Sequence, residues 1–123
     1  MYEVSIEKHF DAAHYLRDYK GKCESLHGHR YRVIAKVKAP QVNEIGLAYD
    51  FTVLKQHLAD ILVKFDHTCL NDVSPFDKIN PSSENIASIV YDELKPKMAG
   101  DPVSISCIEV WESPDSWVAY SPD

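Results

Sequence analysis

The sequence predicts a single α+β domain in which two helices lie on one face of a four-stranded antiparallel sheet. Three observations support this prediction. Two early stretches alternate apolar and polar residues, two central stretches repeat apolar residues at helical spacing, and two late stretches have the composition of strands. The resulting order, β-β-α-α-β-β, is typical of helices packed on one side of an antiparallel sheet. With 123 residues, the chain is long enough for one core, so residues 1–123 are predicted to form one domain.

The first two strands are predicted from a two-residue period. Residues 2–12 place apolar side chains on one face and mainly acidic ones on the other. Residues 27–38 repeat the pattern with basic side chains on the outer face, where Ile34 is an exception. Pro40 and the polar residues 43–46 end this second strand. The predicted core face consists of Val4, Ile6, Phe10, Ala12, Tyr31, Val33, Ala35 and Val37.

The two helices are predicted from capping residues followed by apolar residues at helical spacing. The first begins at Asp50 or Thr52 and its apolar side extends to Phe65. A loop over residues 66–81 follows. The second begins at Ser82 or Ser83 and is expected to end at Pro96 and Gly100. Two strands complete the domain, Val103–Glu112 and, after a turn, Trp117–Tyr120. The exposed edges of such a sheet favour closure by identical subunits.

Composition and charge exclude several classes of function. A net charge of −6 argues against a nucleic-acid partner. No apolar run is long enough to cross a membrane, and no signal peptide is evident. Three cysteines without a framework spacing are typical of a reducing compartment, so we expect a cytoplasmic protein. Residues 17–38 nevertheless carry seven Lys and Arg against two Asp and Glu, which indicates either a solvated basic strand or a local anion site.

Three histidines form a predicted metal site. His27 and His29 lie two residues apart on one strand, so their side chains leave the same face. His14 has the core-facing parity of the preceding strand and lies at its end. Three neutral nitrogen ligands leave a fourth position open, which is typical of catalytic zinc. Alternatively, Cys23 is a fourth ligand, and the protein is a zinc-stabilised binding module without catalytic activity.

Three further residues favour an enzyme over such a module. Asp66 and His67 are adjacent, so the carboxylate can orient and hold an imidazolium, although a histidine at a helix end is the simpler interpretation. Glu112 ends an apolar strand. It is either an edge charge or a bidentate acceptor for a guanidine-like N–C–NH₂ group.

These residues belong to a set of ordered motifs that resembles the 6-pyruvoyl-tetrahydropterin synthase superfamily. The motifs are FDAAH at residues 10–14, CESLHGH at 23–29, FDH at 65–67, PSSEN at 81–85 and WES at 111–113. The resemblance covers residues 4–120. It implies the tunnelling fold, whose element order is the one predicted above, and rings of subunits, often two stacked trimers, with active sites between subunits. We therefore expect a homohexamer.

The resemblance also implies a role for each motif residue. His14, His27 and His29 would bind Zn²⁺, which would act as a Lewis acid on the side chain of a pterin triphosphate. Cys23 would be the base, with Asp66 and His67 as its relay. Glu112 would anchor the pterin ring, assisted by Ser82 and Ser83, and the basic segment would hold the triphosphate.

The spacing of Cys23 and His27 resembles the bacterial 6-carboxytetrahydropterin synthase branch, which serves queuosine synthesis and releases acetaldehyde and triphosphate. The biopterin branch, which forms the 6-pyruvoyl product, typically has two more residues in this interval. Glu24 departs from the branch pattern, because related folate-pathway proteins use a glutamate near this position to release 6-hydroxymethyl-dihydropterin. Glu24 is therefore either a solvated loop residue or a second substrate-binding and proton-accepting group.

Overall fold

The structure is a computed structural model that describes residues 1–18 and 25–122. Within these residues, five strands and two α-helices follow the predicted α+β order, with one short strand added between the helices. The elements are β1 Tyr2–His14, β2 His27–Ala39, α1 Phe51–Leu62, β3 Thr68–Cys69, α2 Ser83–Lys97, β4 Ser104–Ser113 and β5 Ser116–Tyr120. A 3₁₀ turn, Leu70–Asp72, follows β3. The predicted fold class is confirmed.

The strands form a single sheet in the order β3-β1-β2-β4-β5. β1 and β2 pair along their whole length, from Tyr2 opposite Ala39 to His14 opposite His27. The prediction of four antiparallel strands was wrong in one respect, because β3 adds a fifth, which pairs parallel to β1. It has only two residues, too few to show a two-residue period in the sequence.

The two helices cover the apolar face of the sheet, as predicted. α1 packs against β1, and α2 packs against β4 and β5. The core between these layers includes the predicted strand residues and the apolar sides of both helices. The other face of the sheet carries mainly charged and polar side chains from β1 and β2. No helix in the described part of the chain is long and apolar enough to cross a membrane.

The helix ends differ slightly from the prediction. Of the candidate caps, Asp50 accepts a hydrogen bond from the Thr52 amide at 2.8 Å, and Ser82 accepts one from the Asn85 amide at 3.1 Å. α1 ends at Leu62, although Phe65 beyond it is still fully buried. α2 continues through Pro96 to Lys97, because a proline in the last turn removes only one hydrogen bond and does not prevent the helix from finishing.

Candidate metal centre

The pairing of β1 with β2 brings the three predicted histidines together. His14 lies opposite His27, and Ala12 lies opposite His29. Because directly paired residues project from the same face of a sheet, all three imidazoles lie on the core-facing side, at the end of the two strands. His14 is the most enclosed, with 3% of its surface exposed.

Glu112 at the end of β4 completes the group. Its Oε1 atom lies 2.9 Å from Nε2 of His29, 3.6 Å from Nε2 of His14 and 3.9 Å from Nε2 of His27. One ligand atom from each of the four residues lies within 4.8 Å of every other. Three nitrogens and one carboxylate oxygen that converge in this way can hold a metal ion.

The other ring nitrogens determine which lone pairs are free for a metal. Nδ1 of His27 lies 2.6 Å from the Ser25 carbonyl, which can only accept, so Nδ1 carries the proton and Nε2 keeps its lone pair. Nδ1 of His14 lies 2.8 Å from the Tyr31 hydroxyl. Nε2 of His29 is buried and has no hydrogen-bond partner among the described residues, since its contact with Glu112 lacks hydrogen-bond geometry. These nitrogens therefore fit a borderline-soft metal such as zinc.

Burial keeps two of the three imidazoles, those of His14 and His29, neutral, as metal ligands must be. Burial, together with the proximity of His27 and His29, lowers the pKa of His14 to about 4. Burial also lowers the pKa of His29, although the Glu112 carboxylate opposes this shift. At neutral pH both rings are therefore uncharged and can donate a lone pair to a metal.

A cleft of about 180 Å³ borders the metal group on the side of α2. Its walls include His14, Glu112 and three residues at the start of α2, namely Ser82, Ser83 and Glu84.

Glu84 was not among the predicted site residues. The sequence offered a signal, because this carboxylate directly follows Ser82 and Ser83, which were predicted to assist substrate binding. Tyr31 was also missed, since its position indicated only a core residue.

Asp66 and His67 lie in a separate cluster with Asp11. Oδ1 of Asp66 accepts a hydrogen bond from the Asp11 amide at 2.9 Å and lies 3.2 Å from Nδ1 of His67. The His67 amide in turn donates to the Asp11 carbonyl at 2.6 Å, and His67 has a left-handed φ of 59°. Since Asp11 faces away from Ala12 and His14, the sheet separates this cluster from the metal group within one chain. Cys23 and Glu24 lie outside the described residues.

Arg17, the first cation of the predicted basic segment, has a structural role. Its guanidinium donates to the carbonyls of Ile79 at 3.2 Å, Asn71 at 3.4 Å and Phe76 at 2.9 Å. These contacts hold the segment before α2 against the end of β1. Arg17 is therefore occupied by the protein's own backbone.

Comparison with known proteins identifies the class to which this fold and site belong. Residues 3–123 match the family described as 6-pyruvoyl tetrahydropterin synthase. A solved structure of 6-pyruvoyl tetrahydropterin synthase from Caenorhabditis elegans superposes with a TM-score of 0.82, at 28% identity, covering 100% of this chain and 98% of that one. The chain belongs to the 6-pyruvoyl tetrahydropterin synthase family.

Curated relatives narrow the comparison further. The chain is 38% identical to a 6-carboxy-5,6,7,8-tetrahydropterin synthase from Synechocystis, with 98% of this chain and 93% of the relative covered. It is 30% identical to the protein of the same name from Bacillus subtilis, with 98% and 86% covered. The family and these names indicate a pterin-processing enzyme.

Proposed function

We propose that the protein is a zinc-dependent lyase that converts 7,8-dihydroneopterin triphosphate and one water into 6-carboxy-5,6,7,8-tetrahydropterin, acetaldehyde and triphosphate. This reaction would serve queuosine synthesis in the cytoplasm. The observation that carries the proposal is the convergence of three imidazole Nε2 atoms on one point beside a cleft lined by carboxylates and hydroxyls. The names of the relatives support the choice of product.

His14, His27 and His29 would hold the zinc ion, and Glu112 lies close enough to contact either the metal or the substrate. When bound, zinc supplies Lewis-acid activation of the hydroxyl-bearing carbons of the substrate side chain. The residues themselves contribute neutral nitrogen ligands at fixed positions on two paired strands.

The cleft beside α2 would bind the pterin ring. A pterin presents a guanidine-like N–C–NH₂ edge, which a carboxylate accepts in bidentate fashion. Glu112 and Glu84 provide such carboxylates. Ser83 adds a hydroxyl, whereas the oxygen of Ser82 is already engaged as the cap of α2. The ring would therefore be oriented with its substituted carbon toward the metal group.

Cys23 would remove the carbon-bound proton as a thiolate, with Asp66 and His67 as its relay. Since the sheet separates that pair from the metal group of the same chain, we propose that a neighbouring subunit supplies it within a homohexamer of two trimers. Mixing His29→Ala chains with His67→Ala chains, each inactive alone, should then restore activity after subunit exchange. Mixtures that stay inactive despite proven exchange would contradict a shared site.

Glu24, next to Cys23, favours one second candidate function, the cleavage of the same substrate to 6-hydroxymethyl-dihydropterin. A carboxylate there can accept a proton in place of the thiolate. Incubation with 7,8-dihydroneopterin triphosphate and mass spectrometry of the products tests both functions. We expect Cys23→Ala to keep its zinc, lose the 6-carboxy product and retain slow cleavage, which Cys23→Ala with Glu24→Ala should abolish. Identical products from the single and double variants would remove Glu24 from the chemistry.

The metal assignment is tested separately. His29→Ala should lose most of its zinc, whereas His57→Ala, on the surface of α1, should retain it. Retention of zinc by the His29 variant would contradict the three-histidine site. If the zinc-loaded wild type leaves the substrate unchanged, the result would instead favour the binding module without catalytic activity. If Cys23→Ala loses both zinc and stability, Cys23 is the fourth ligand of a closed zinc site.

A further inference from the structure

A second cleft, of about 480 Å³, borders the metal group on the side opposite α2. One part of its wall is formed by His29 and Glu112, which also belong to the metal group. The rest includes His9, Arg30, Arg32 and Trp111. Arg30, Arg32 and Trp111 project from the face of the sheet that the helices leave uncovered. The cleft reaches both faces at this end of the sheet, because β4 pairs with β2 only from Arg32 onward. The metal group therefore lies between two clefts of different character, one with carboxylates and hydroxyls, the other with cations.

Arg32 is held in a fixed position in this second cleft. Its guanidinium carbon lies 4.1 Å from the centre of the Trp111 ring, and Trp111 in turn stacks on Trp117 with ring centres 3.9 Å apart. Such stacking orients the guanidinium plane and leaves its edges to bind an anion. A preoriented fork loses little conformational freedom when it binds an oxyanion.

Among the described residues, Arg32 forms none of the ion pairs that occupy its neighbours. Lys36 pairs with Glu109 at 2.8 Å, and Arg30 lies 3.3 Å from the Asp11 carboxylate. The Nε atom of Arg32 is buried without a hydrogen-bond partner in the described chain. The Arg30 pair is exposed, and exposed pairs of this kind contribute little and exchange readily. Arg32 also helps to lower the pKa of Glu109, but that carboxylate is already bound by Lys36 and by the Trp111 indole N–H. The cleft therefore contains one guanidinium that forms no ion pair among the described residues, and one that forms only a weak pair.

The two clefts and the metal group lie in the same order as the parts of the proposed substrate. In 7,8-dihydroneopterin triphosphate, hydroxyl-bearing carbons connect the pterin ring to the triphosphate. The first cleft, the metal group and the cationic cleft follow one another in that order, with Glu112 lining both clefts. We propose that Arg32, assisted by Arg30, binds the triphosphate of the substrate. This inference rests on the proposed function and adds the residues that recognise the leaving group.

The test is calorimetric titration of inorganic triphosphate into the purified protein, with bound metal measured before and after. Arg32→Gln should weaken triphosphate binding by at least about tenfold, the effect of losing a charge-assisted fork. The exposed Arg30→Gln should weaken it by a smaller factor without affecting folding. Lys38→Gln is the matched control, because it removes the same charge from the same strand about 20 Å away at ~3.3 Å per residue. It should leave binding unchanged.

Substrate kinetics provide an independent readout. Arg32→Gln should raise KM for 7,8-dihydroneopterin triphosphate by a similar factor, yet bind unphosphorylated 7,8-dihydroneopterin as the wild type does. Unchanged triphosphate affinity in folded Arg32→Gln and Arg30→Gln would overturn the inference, as would equal weakening in Lys38→Gln. Failure of this inference can be distinguished from failure of the proposed function, because in the second case the wild type itself would convert no substrate.

Discussion

Tyr31 provides a sharp test of how the second layer of residues orients the metal group. Its side chain is completely buried and stacks on Phe10 with ring centres 4.7 Å apart. Its hydroxyl lies 2.8 Å from Nδ1 of His14. If Nε2 of His14 faces the metal, Nδ1 carries the proton and donates it to the hydroxyl oxygen. Tyr31→Phe removes this single oxygen while retaining the stacked ring.

The size of the effect follows from the burial of both partners. Burial and the nearby Glu112 carboxylate raise the pKa of Tyr31, so the acceptor is a neutral phenol at all ordinary pH values. Without the hydroxyl, the N–H of His14 is left unpaired, which costs about 1–3 kcal/mol. Loss of such an outer partner typically weakens metal binding by about 10–100-fold, because the ligand ring is no longer held in orientation. We expect both effects in Tyr31→Phe.

Competition with a chromogenic chelator measures the zinc affinity at neutral pH, and urea unfolding measures the stability. The matched control is Tyr49→Phe, since the Tyr49 hydroxyl also donates a hydrogen bond, at 2.6 Å to Asp101, but at a distance from the metal group. The control should bind zinc as the wild type does. If Tyr31→Phe binds zinc within about twofold of the wild type, the proposed orientation of His14 is wrong.

Three further predictions concern stability and assembly. Arg17→Met should lower the free energy of unfolding in urea by about 2 kcal/mol, because three backbone carbonyls lose a charged donor, and a negligible change would show that the loop holds itself. Burial acts to raise the pKa of Glu109, but hydrogen bonds from Lys36 and Trp111 outweigh this effect, so the pKa is lowered. Glu109→Gln should therefore have a lower free energy of unfolding than the wild type at neutral pH, and this difference should shrink as the pH falls through the carboxyl pKa. A difference in free energy that does not change with pH would contradict this prediction. Light scattering should report six subunits, whereas a stable monomer at assay concentration would contradict the hexamer.

The main elements of the fold could be predicted because each has a clear period. The core-facing residues of β1 and β2 alternate over more than ten positions, and both helices present an apolar stripe after a capping residue. The short strand β3 could not be predicted, since Thr68 and Cys69 take part in the sheet only because the chain after α1 runs beside Ala12 and Ala13. Its existence depends on tertiary pairing and not on local pattern.

The histidine group was predictable for a similar reason, because its members share one face of two strands that pair directly. The contact of Glu112 with those histidines was not, since it requires β4 to lie next to β2 in the sheet, and the sequence does not determine that neighbour. The same limit applies to Asp66 and His67. Their adjacency is visible in the sequence, but their separation from the metal group by the sheet follows only from the side-chain direction of Asp11.

The sequence could not predict which cations of the basic segment are available to bind a ligand. The count over residues 17–38 indicated an anion site but treated every cation in the segment alike. In the structure, Arg17 is bound by backbone carbonyls and Lys36 by Glu109. Arg32 instead rests on Trp111 and forms no ion pair among the described residues. A cation can recognise a ligand only if the protein has not already neutralised it. The functional signal of a basic segment is therefore an unpaired cation that also lies beside a site. In the described part of this segment Arg32 and Lys38 form no ion pair, and of these two only Arg32 lines the cleft beside the metal group.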